Sequence, residues 1–137
     1  MPTVLIVDDS ESVRVSVRAL FEAQPDFSVV GEAVNGLDAI NKTAELGPDL
    51  IILDLSMPIM NGLEAAESIK STTPATPIFI LTSHAGPEVS RAAEAAGVDA
   101  VFAKGSDMDE MIARARSRFA PSNAAAKKSK KRSAADK

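Results

Sequence analysis

The sequence predicts an α/β protein of the doubly wound class, with a five-stranded parallel sheet in the order 2-1-3-4-5 and five helices. Strand-like and helix-like segments alternate five times within about the first 120 residues. The strand-like segments are short apolar runs, which is typical of strands that are buried on both faces of a parallel sheet. Turn residues separate the segments, and connections between parallel strands through helices are right-handed crossovers.

The five candidate strands differ in polarity. The second is the most polar of them and is therefore expected at an edge of the sheet. The arrangement as a whole is flavodoxin-like, which places a ligand site between the first and third strands at their carboxyl ends. The candidates are Val4–Val7, Val29–Ala33, Leu50–Asp54, Ile78–Thr82 and Ala100–Ala103.

The first candidate helix is amphipathic. Its apolar residues recur at spacings of three and four, which places them on one face of a helix, and charged residues occupy the other face. The apolar set is Val13, Val17, Leu20 and Phe21, and the set expected to face water is Arg14, Arg18 and Glu22.

The remaining helices are recognised by the residues at their ends. Asparagine before a helix caps its amino end, whereas glycine or proline just past a helix ends it. The second helix follows Asn35 and ends at Gly47, and the fifth is expected to open at Ser106 in a capping box with Asp109. The bounds expected for the second to fourth helices are 36–46, 62–71 and 87–96.

Composition points to a soluble cytoplasmic protein. Apolar residues make up 45% and charged residues 25% of the 137 residues, as in ordinary globular proteins. Cysteine is absent, which excludes disulfides, thiolate zinc sites and thiol catalysis. No apolar run approaches the roughly 20 residues that span a bilayer, and we expect no membrane segment.

Charge divides the chain into two parts. Residues 121–137 carry most of their charge as lysine and arginine and contain few apolar residues, so we expect a disordered basic tail there. The predicted folded domain, residues 1–120, is acidic, and an acidic body disfavours binding to nucleic acid. The tail is the segment that would meet an acidic partner.

Side chains suited to phosphoryl chemistry follow the predicted strands. Asp8 and Asp9 follow the first strand, Asp54 ends the third, Thr82 ends the fourth and Lys104 follows the fifth. Three carboxylates converging on one rim would repel each other unless a cation joined them, and carboxylate oxygens suit Mg²⁺. A carboxylate can also attack phosphorus, with a lysine offsetting the charge that develops.

Four segments in this order resemble the response-regulator receiver domain of two-component signalling. The resemblance covers about residues 3–119 and implies the same fold. The segments are Val7–Ser10 (VDDS), Asp54–Gly62 (DLSMPIMNG), Ile80–Ser83 (ILTS) and Phe102–Lys104 (FAK).

The resemblance implies a role for each acid. Asp54 would accept a phosphoryl group from a sensor histidine kinase or a histidine phosphotransfer protein. Asp8 and Asp9 would hold Mg²⁺ together with Asp54 and the backbone carbonyl of Ser56. The Ser56 side chain is also placed to affect the access of water.

The resemblance also implies which residues read the modification. Thr82 would move toward the phosphoryl group, Phe102 would follow it inward, and Lys104 would pair with Asp54 or its phosphate. His84 lies two residues past Thr82, where it either influences hydrolysis of the phosphate or is simply a solvated loop residue. Gly105 stands where many receivers have a proline in a cis bond, which removes a rigid turn beside Lys104.

The expected function is that of a stand-alone response regulator that switches its binding to a downstream protein, because we identify no DNA-binding domain in the sequence. One alternative is a phosphorelay intermediate that passes phosphate to a histidine phosphotransfer protein. Another is a constitutive pseudo-receiver interaction module. A dedicated aspartate-based phosphatase would want a second aspartate at Ser56, so we expect no enzymatic activity beyond self-catalysed phosphotransfer and autodephosphorylation.

Overall fold

The computed structural model describes residues 1–120, in which five parallel strands form one sheet in the order β2-β1-β3-β4-β5. This confirms the predicted fold class. The predicted basic tail, residues 121–137, lies outside the described residues. None of the helices described for residues 1–120 is long and apolar enough to cross a membrane.

The predicted bounds agree with the structure to within one or two residues. The strands are β1 Thr3–Val7, β2 Ser28–Ala33, β3 Leu50–Asp54, β4 Ile78–Thr82 and β5 Ala100–Ala103, and the helices are α1 Glu11–Glu22, α2 Gly36–Leu46, α3 Gly62–Thr72, α4 Pro87–Ala95 and α5 Met108–Phe119.

Successive side chains of a strand point to opposite faces of the sheet, and helices cover both faces. Ile51 of β3 belongs to the core cluster that contains residues of α2 and α3, whereas Ile52 belongs to the cluster that contains residues of α1 and α5. All residues of β3 and β4 are buried, which explains their continuous apolar sequence. The more polar β2 lies at an edge of the sheet, as predicted.

Helix capping follows the sequence at two of the amino ends. The Asn35 side chain accepts a hydrogen bond of 2.8 Å from the amide of Asp38 at the start of α2. At α3, the side chains of Asn61 and Glu64 each accept a hydrogen bond from the other residue's amide, at 2.9 and 3.0 Å. These reciprocal bonds form a capping box that starts α3 directly after the loop that follows β3.

The expected capping box at Ser106 is wrong. Helix α5 begins one residue later than that box requires, after Asp107, and no side chain caps it within residues 1–120. The Asp107 carboxylate instead accepts a hydrogen bond of 2.8 Å from the amide of Ala103 at the end of β5. The Asp107 carboxylate therefore links the two ends of the β5–α5 turn and does not cap α5.

The expectation that Arg14 faces water is also wrong. Its side chain is only 14% exposed, because it turns toward β2 and forms an ion pair with Glu32. Arg18, one turn further along α1, keeps 38% of its side chain exposed and pairs with the same Glu32. Helical periodicity cannot reveal this, because the partner lies on another element of the fold.

Gly62 allows α3 to approach the end of β3 closely. A Cβ atom at this position would lie 2.2 Å from the carbonyl oxygen of Asp54 and 3.0 Å from the Cα atom of Leu55. The amide of Gly62 also donates a hydrogen bond of 2.9 Å to the carbonyl of Leu55. Any side chain here would therefore displace the backbone that carries Asp54.

We expect Gly62→Ala to lower the free energy of unfolding by at least about 2 kcal/mol, because the added methyl group overlaps backbone atoms. Chemical denaturation followed by circular dichroism measures this. Gly86→Ala is the matched control, since a Cβ atom there meets nothing within 4 Å, and its cost should stay below about 1 kcal/mol. Equal losses in the two variants would show that the close approach does not matter.

Candidate functional site

Three carboxylates meet at the carboxyl edge of the sheet. One oxygen from each of Asp8, Asp9 and Asp54 lies within 4.8 Å of the others. Asp8 and Asp54 are buried, at 3% and 5% exposure, whereas Asp9 is exposed. The convergence follows from topology, because β1 and β3 are neighbours and both end at this edge.

Lys104 bridges the two buried carboxylates. Its Nζ atom lies 3.0 Å from Oδ2 of Asp8 and 3.2 Å from Oδ1 of Asp54. Its backbone amide donates a hydrogen bond of 2.8 Å to the carbonyl of Thr82. Both the side chain and the backbone of Lys104 are therefore restrained.

The site disfavours the charged form of Asp54. Burial and then the negative charge of Asp8 raise the pKa of the Asp54 carboxyl, although Lys104 partly offsets them. Burial works against the charged form of Lys104, yet its hydrogen bonds to Asp8 and Asp54 outweigh this and raise its pKa. The lysine is therefore favoured in its charged form, whereas the charged form of the Asp54 carboxylate is disfavoured.

The charge balance of the site suits a divalent cation. Three carboxylates and one ammonium group in their charged forms leave two negative charges uncompensated. Hard cations such as Mg²⁺ take carboxylate oxygens as ligands, and one oxygen of each acid lies within 4.8 Å of the others. The donor set therefore fits Mg²⁺.

Thr82 and Phe102 lie on the neighbouring strands, both buried at 2% exposure. The Thr82 hydroxyl oxygen accepts a hydrogen bond of 3.1 Å from the amide of His84, so its proton remains available to another acceptor. The Phe102 ring packs edge to face against Phe79, with ring centroids 5.4 Å apart. Phe102 thus already points inward, and its predicted switching role stays a prediction.

Ser56 and His84 lie in the two loops beside the acids. Ser56 follows β3 by two residues and His84 follows β4 by two residues, and both are exposed. Their predicted influence on water access stays a prediction.

The turn that carries Lys104 has a brace that the sequence did not reveal. Gly105 adopts a positive φ of 88°, which suits glycine at this position. The amide of Asp107 donates a hydrogen bond of 3.1 Å to the carbonyl of Ala103, and the Asp107 carboxylate accepts one from the Ala103 amide. These two bonds close the turn without a proline.

Sequence reasoning also missed Arg14, whose Nη1 atom donates a hydrogen bond of 2.8 Å to the backbone carbonyl of Asp8. An arginine six residues after an acid has no distinctive sequence pattern, and its ion-pair partner Glu32 lies on β2.

A doubly wound sheet with three acids and a lysine at its carboxyl edge is suited to phosphoryl chemistry assisted by a divalent cation. Residues 4–116 match the response regulator receiver domain, and the chain belongs to this family. The resemblance found in the sequence is thereby confirmed. Receiver domains act in two-component signalling with histidine kinases and use Mg²⁺ at the acidic phosphorylation site.

Named relatives share this domain. The response regulator protein VraR of Staphylococcus saprophyticus is 44% identical over 113 residues, which cover 80% of this chain and 54% of VraR. A protein-glutamate methylesterase/protein-glutamine glutaminase of Methanosarcina mazei is 39% identical over 99 residues, covering 71% of this chain and 28% of its own length. The chain thus spans about half or less of these curated relatives.

Solved structures agree with this assignment. The response regulator domain of Thermotoga maritima CheB is 30% identical, with a TM-score of 0.80, and the match covers 85% of this chain and 95% of that one. A LuxR-family two-component response regulator from Aurantimonas is 31% identical, with a TM-score of 0.82, and the match covers 86% and 84% of the two chains.

We expect Asp54→Asn to stabilise the domain in buffer without divalent cations, because it removes a buried charge that faces Asp8. The free energy of unfolding should rise by about 1 kcal/mol, the usual scale of a single substitution. Thermal and chemical denaturation measure the change. Glu67→Gln, which neutralises an exposed acid on α3, is the control and should leave stability unaltered.

The pH dependence of this stabilisation gives an independent check. Because folding raises the pKa of Asp54, its charged form destabilises the fold above that pKa, and the penalty vanishes below the unfolded value near about 3.9. The advantage of Asp54→Asn should therefore be full at neutral pH and shrink as the pH falls. A constant advantage at every pH would contradict the electrostatic explanation.

Proposed function

We propose that this receiver domain is a phosphorylation-controlled switch with Asp54 as its phosphoryl acceptor. The observation that carries the proposal is the buried Asp54 carboxylate, which ends β3 beside Asp8 and pairs with the Lys104 ammonium group. Asp8 shares the burial and the lysine partner, and the resemblance of the segment Asp54–Gly62 to the receiver domain supports Asp54 as the acceptor.

The transfer is a displacement at phosphorus. An Asp54 carboxylate oxygen forms a bond to phosphorus while the bond from phosphorus to its donor breaks. With a phosphohistidine donor, the imidazole nitrogen keeps the electron pair of that bond, and with acetyl phosphate, acetate leaves.

Asp8, Asp9, Asp54 and the backbone carbonyl of Ser56 would hold Mg²⁺. When bound, the cation neutralises negative charge on the phosphoryl oxygens. The acids themselves are placed by the ends of β1 and β3, and Lys104 bridges the two buried ones. Receiver-type autodephosphorylation would occur at the same site, with Ser56 and His84 flanking the path of water.

Thr82 and Lys104 would read the modification. A phosphoryl group on Asp54 carries its charge further from β3 than the carboxylate does, so the Lys104 ammonium group would pair with the phosphoryl oxygens. The free proton of the Thr82 hydroxyl would be donated to one of them. Phe102 would respond next, because β4 and β5 are adjacent and Leu81 pairs with Phe102.

The output would be altered contact with a downstream protein, produced by the differential contacts of the two states. A sensor histidine kinase or a histidine phosphotransfer protein would supply the phosphoryl group. The prediction of a stand-alone regulator stays a prediction, since relatives include a DNA-binding response regulator of Staphylococcus aureus and the methylesterase named above. The proposal keeps residues 1–120 as the receiver domain and residues 121–137 as the basic tail.

We expect Asp54→Asn to abolish labelling of the protein by radiolabelled acetyl phosphate in the presence of Mg²⁺, because the amide cannot attack phosphorus. Autoradiography of the denatured protein and its intact mass measure the loss. Glu67→Gln should label as the unaltered protein does. Undiminished labelling of Asp54→Asn would sink the assignment of the acceptor.

We expect the basic tail to bind an acidic polymer by charge alone. Full-length protein should bind poly-glutamate with an affinity that falls as salt rises, whereas protein shortened to residues 1–120 should not bind. Titration at several ionic strengths by calorimetry measures both. Equal affinities for the two forms would rule out the tail as the binding segment.

A further inference from the structure

Arg14 connects the acidic site to β2. Its guanidinium donates from Nε to Oε1 of Glu32 at 2.9 Å and from Nη1 to the backbone carbonyl of Asp8 at 2.8 Å. The side chain is 14% exposed, so these bonds are largely shielded from competing water. A planar guanidinium suits this double contact, because its donors have a fixed mutual geometry.

Glu32 keeps Arg14 in this orientation. Its second oxygen accepts a hydrogen bond of 2.7 Å from Arg18, so both carboxylate oxygens are used by α1. The hydrogen bond from Arg18 and then the one from Arg14 lower the pKa of Glu32 against the effect of burial. The carboxylate is therefore charged under ordinary conditions and anchors α1 to the edge strand.

The bond from Arg14 completes the restraint of Asp8. The Asp8 amide donates 3.1 Å to the carbonyl of Ala33, its Oδ1 accepts 2.9 Å from the Ser10 amide, and its Oδ2 faces Lys104. Its carbonyl belongs to the peptide unit that leads to Asp9. Arg14 is thus the side chain that orients the peptide between the two acids.

We propose that Arg14 is a positioning residue for divalent-cation binding, acting through the Asp8–Asp9 peptide rather than through its charge. This inference rests on the proposed function of Asp8 and Asp9. Two effects of Arg14 oppose each other. Its positive charge repels a cation, so charge alone predicts that removing it would tighten Mg²⁺ binding. Its hydrogen bond orients the acids, so positioning predicts that removing it weakens binding.

The test compares Arg14→Met with Arg18→Met in the full-length chain. Both variants lose one positive charge and one bond to Glu32, but only Arg14 contacts Asp8. The chain has no tryptophan or tyrosine, so Mg²⁺ titrations at constant ionic strength are followed by amide chemical shifts in isotope-labelled protein. Arg14→Met should weaken Mg²⁺ binding about tenfold, as is usual for loss of a residue that orients metal ligands.

Arg18→Met should bind Mg²⁺ within about twofold of the unaltered protein, because an exposed charge is screened by salt. Unchanged or tighter binding by Arg14→Met would overturn the inference. Equal weakening in the two variants would also overturn it, since that would assign the effect to Glu32 anchoring alone. Absence of Mg²⁺ binding by the unaltered protein would instead contradict the proposed function.

Folding is separated from positioning by a second readout. Thermal denaturation without Mg²⁺ reports any structural loss, whereas the dissociation constant reports only on folded molecules. If Arg14→Met does not fold, Arg14→Lys replaces it, because lysine keeps the charge but lacks the fixed planar fork of donors that reaches Glu32 and the Asp8 carbonyl. Arg14→Lys should also weaken Mg²⁺ binding, and full affinity in that variant would overturn the inference.

Discussion

The ammonium group of Lys104 between Asp8 and Asp54 is the interaction on which the rest of the site depends. Two buried carboxylates on neighbouring strands would otherwise destabilise the carboxyl edge of the sheet. The lysine reduces this repulsion without removing it, as the raised pKa of Asp54 shows. The charged form of Asp54 therefore destabilises the fold and at the same time favours the binding of a cation. A site with fully matched charges would have little to gain from a bound cation.

The surrounding fold is arranged to keep this frustrated cluster rigid. Gly62 allows α3 to lie against the backbone of Asp54, and the capping box of Asn61 and Glu64 starts that helix at Gly62. On the other side, Arg14 and the loop after β1 restrain Asp8. Gly62 and Arg14 contact backbone atoms of Asp54 and Asp8, whereas the Ser10 amide binds a carboxylate oxygen of Asp8. The scaffold therefore acts mainly on the direction in which each acid points.

Much of the fold was predictable because its signals are local. Apolar runs located the strands, and Asn35 and Gly47 marked the ends of α2. The site was predictable in outline, because topology brings the carboxyl ends of β1 and β3 together. Arg14 and Asp107 were not predictable in the same way. Arg14 bonds to a residue on another element, and Asp107 gives its carboxylate to β5 although its position suits a cap.

The brace at Asp107 has a mechanical consequence. Ala103 and Asp107 exchange two hydrogen bonds across the turn that holds Lys104 and Gly105, so the last residue of β5 and the residue before α5 form one rigid corner. Lys104 lies within this corner, between a strand end and a glycine that tolerates an unusual backbone angle. If the Lys104 ammonium group moved toward a phosphoryl group on Asp54, its backbone would transmit the movement to the turn between Ala103 and Asp107. Lys104, whose ammonium group contacts Asp54, is thus joined to helix α5 through the main chain of this turn.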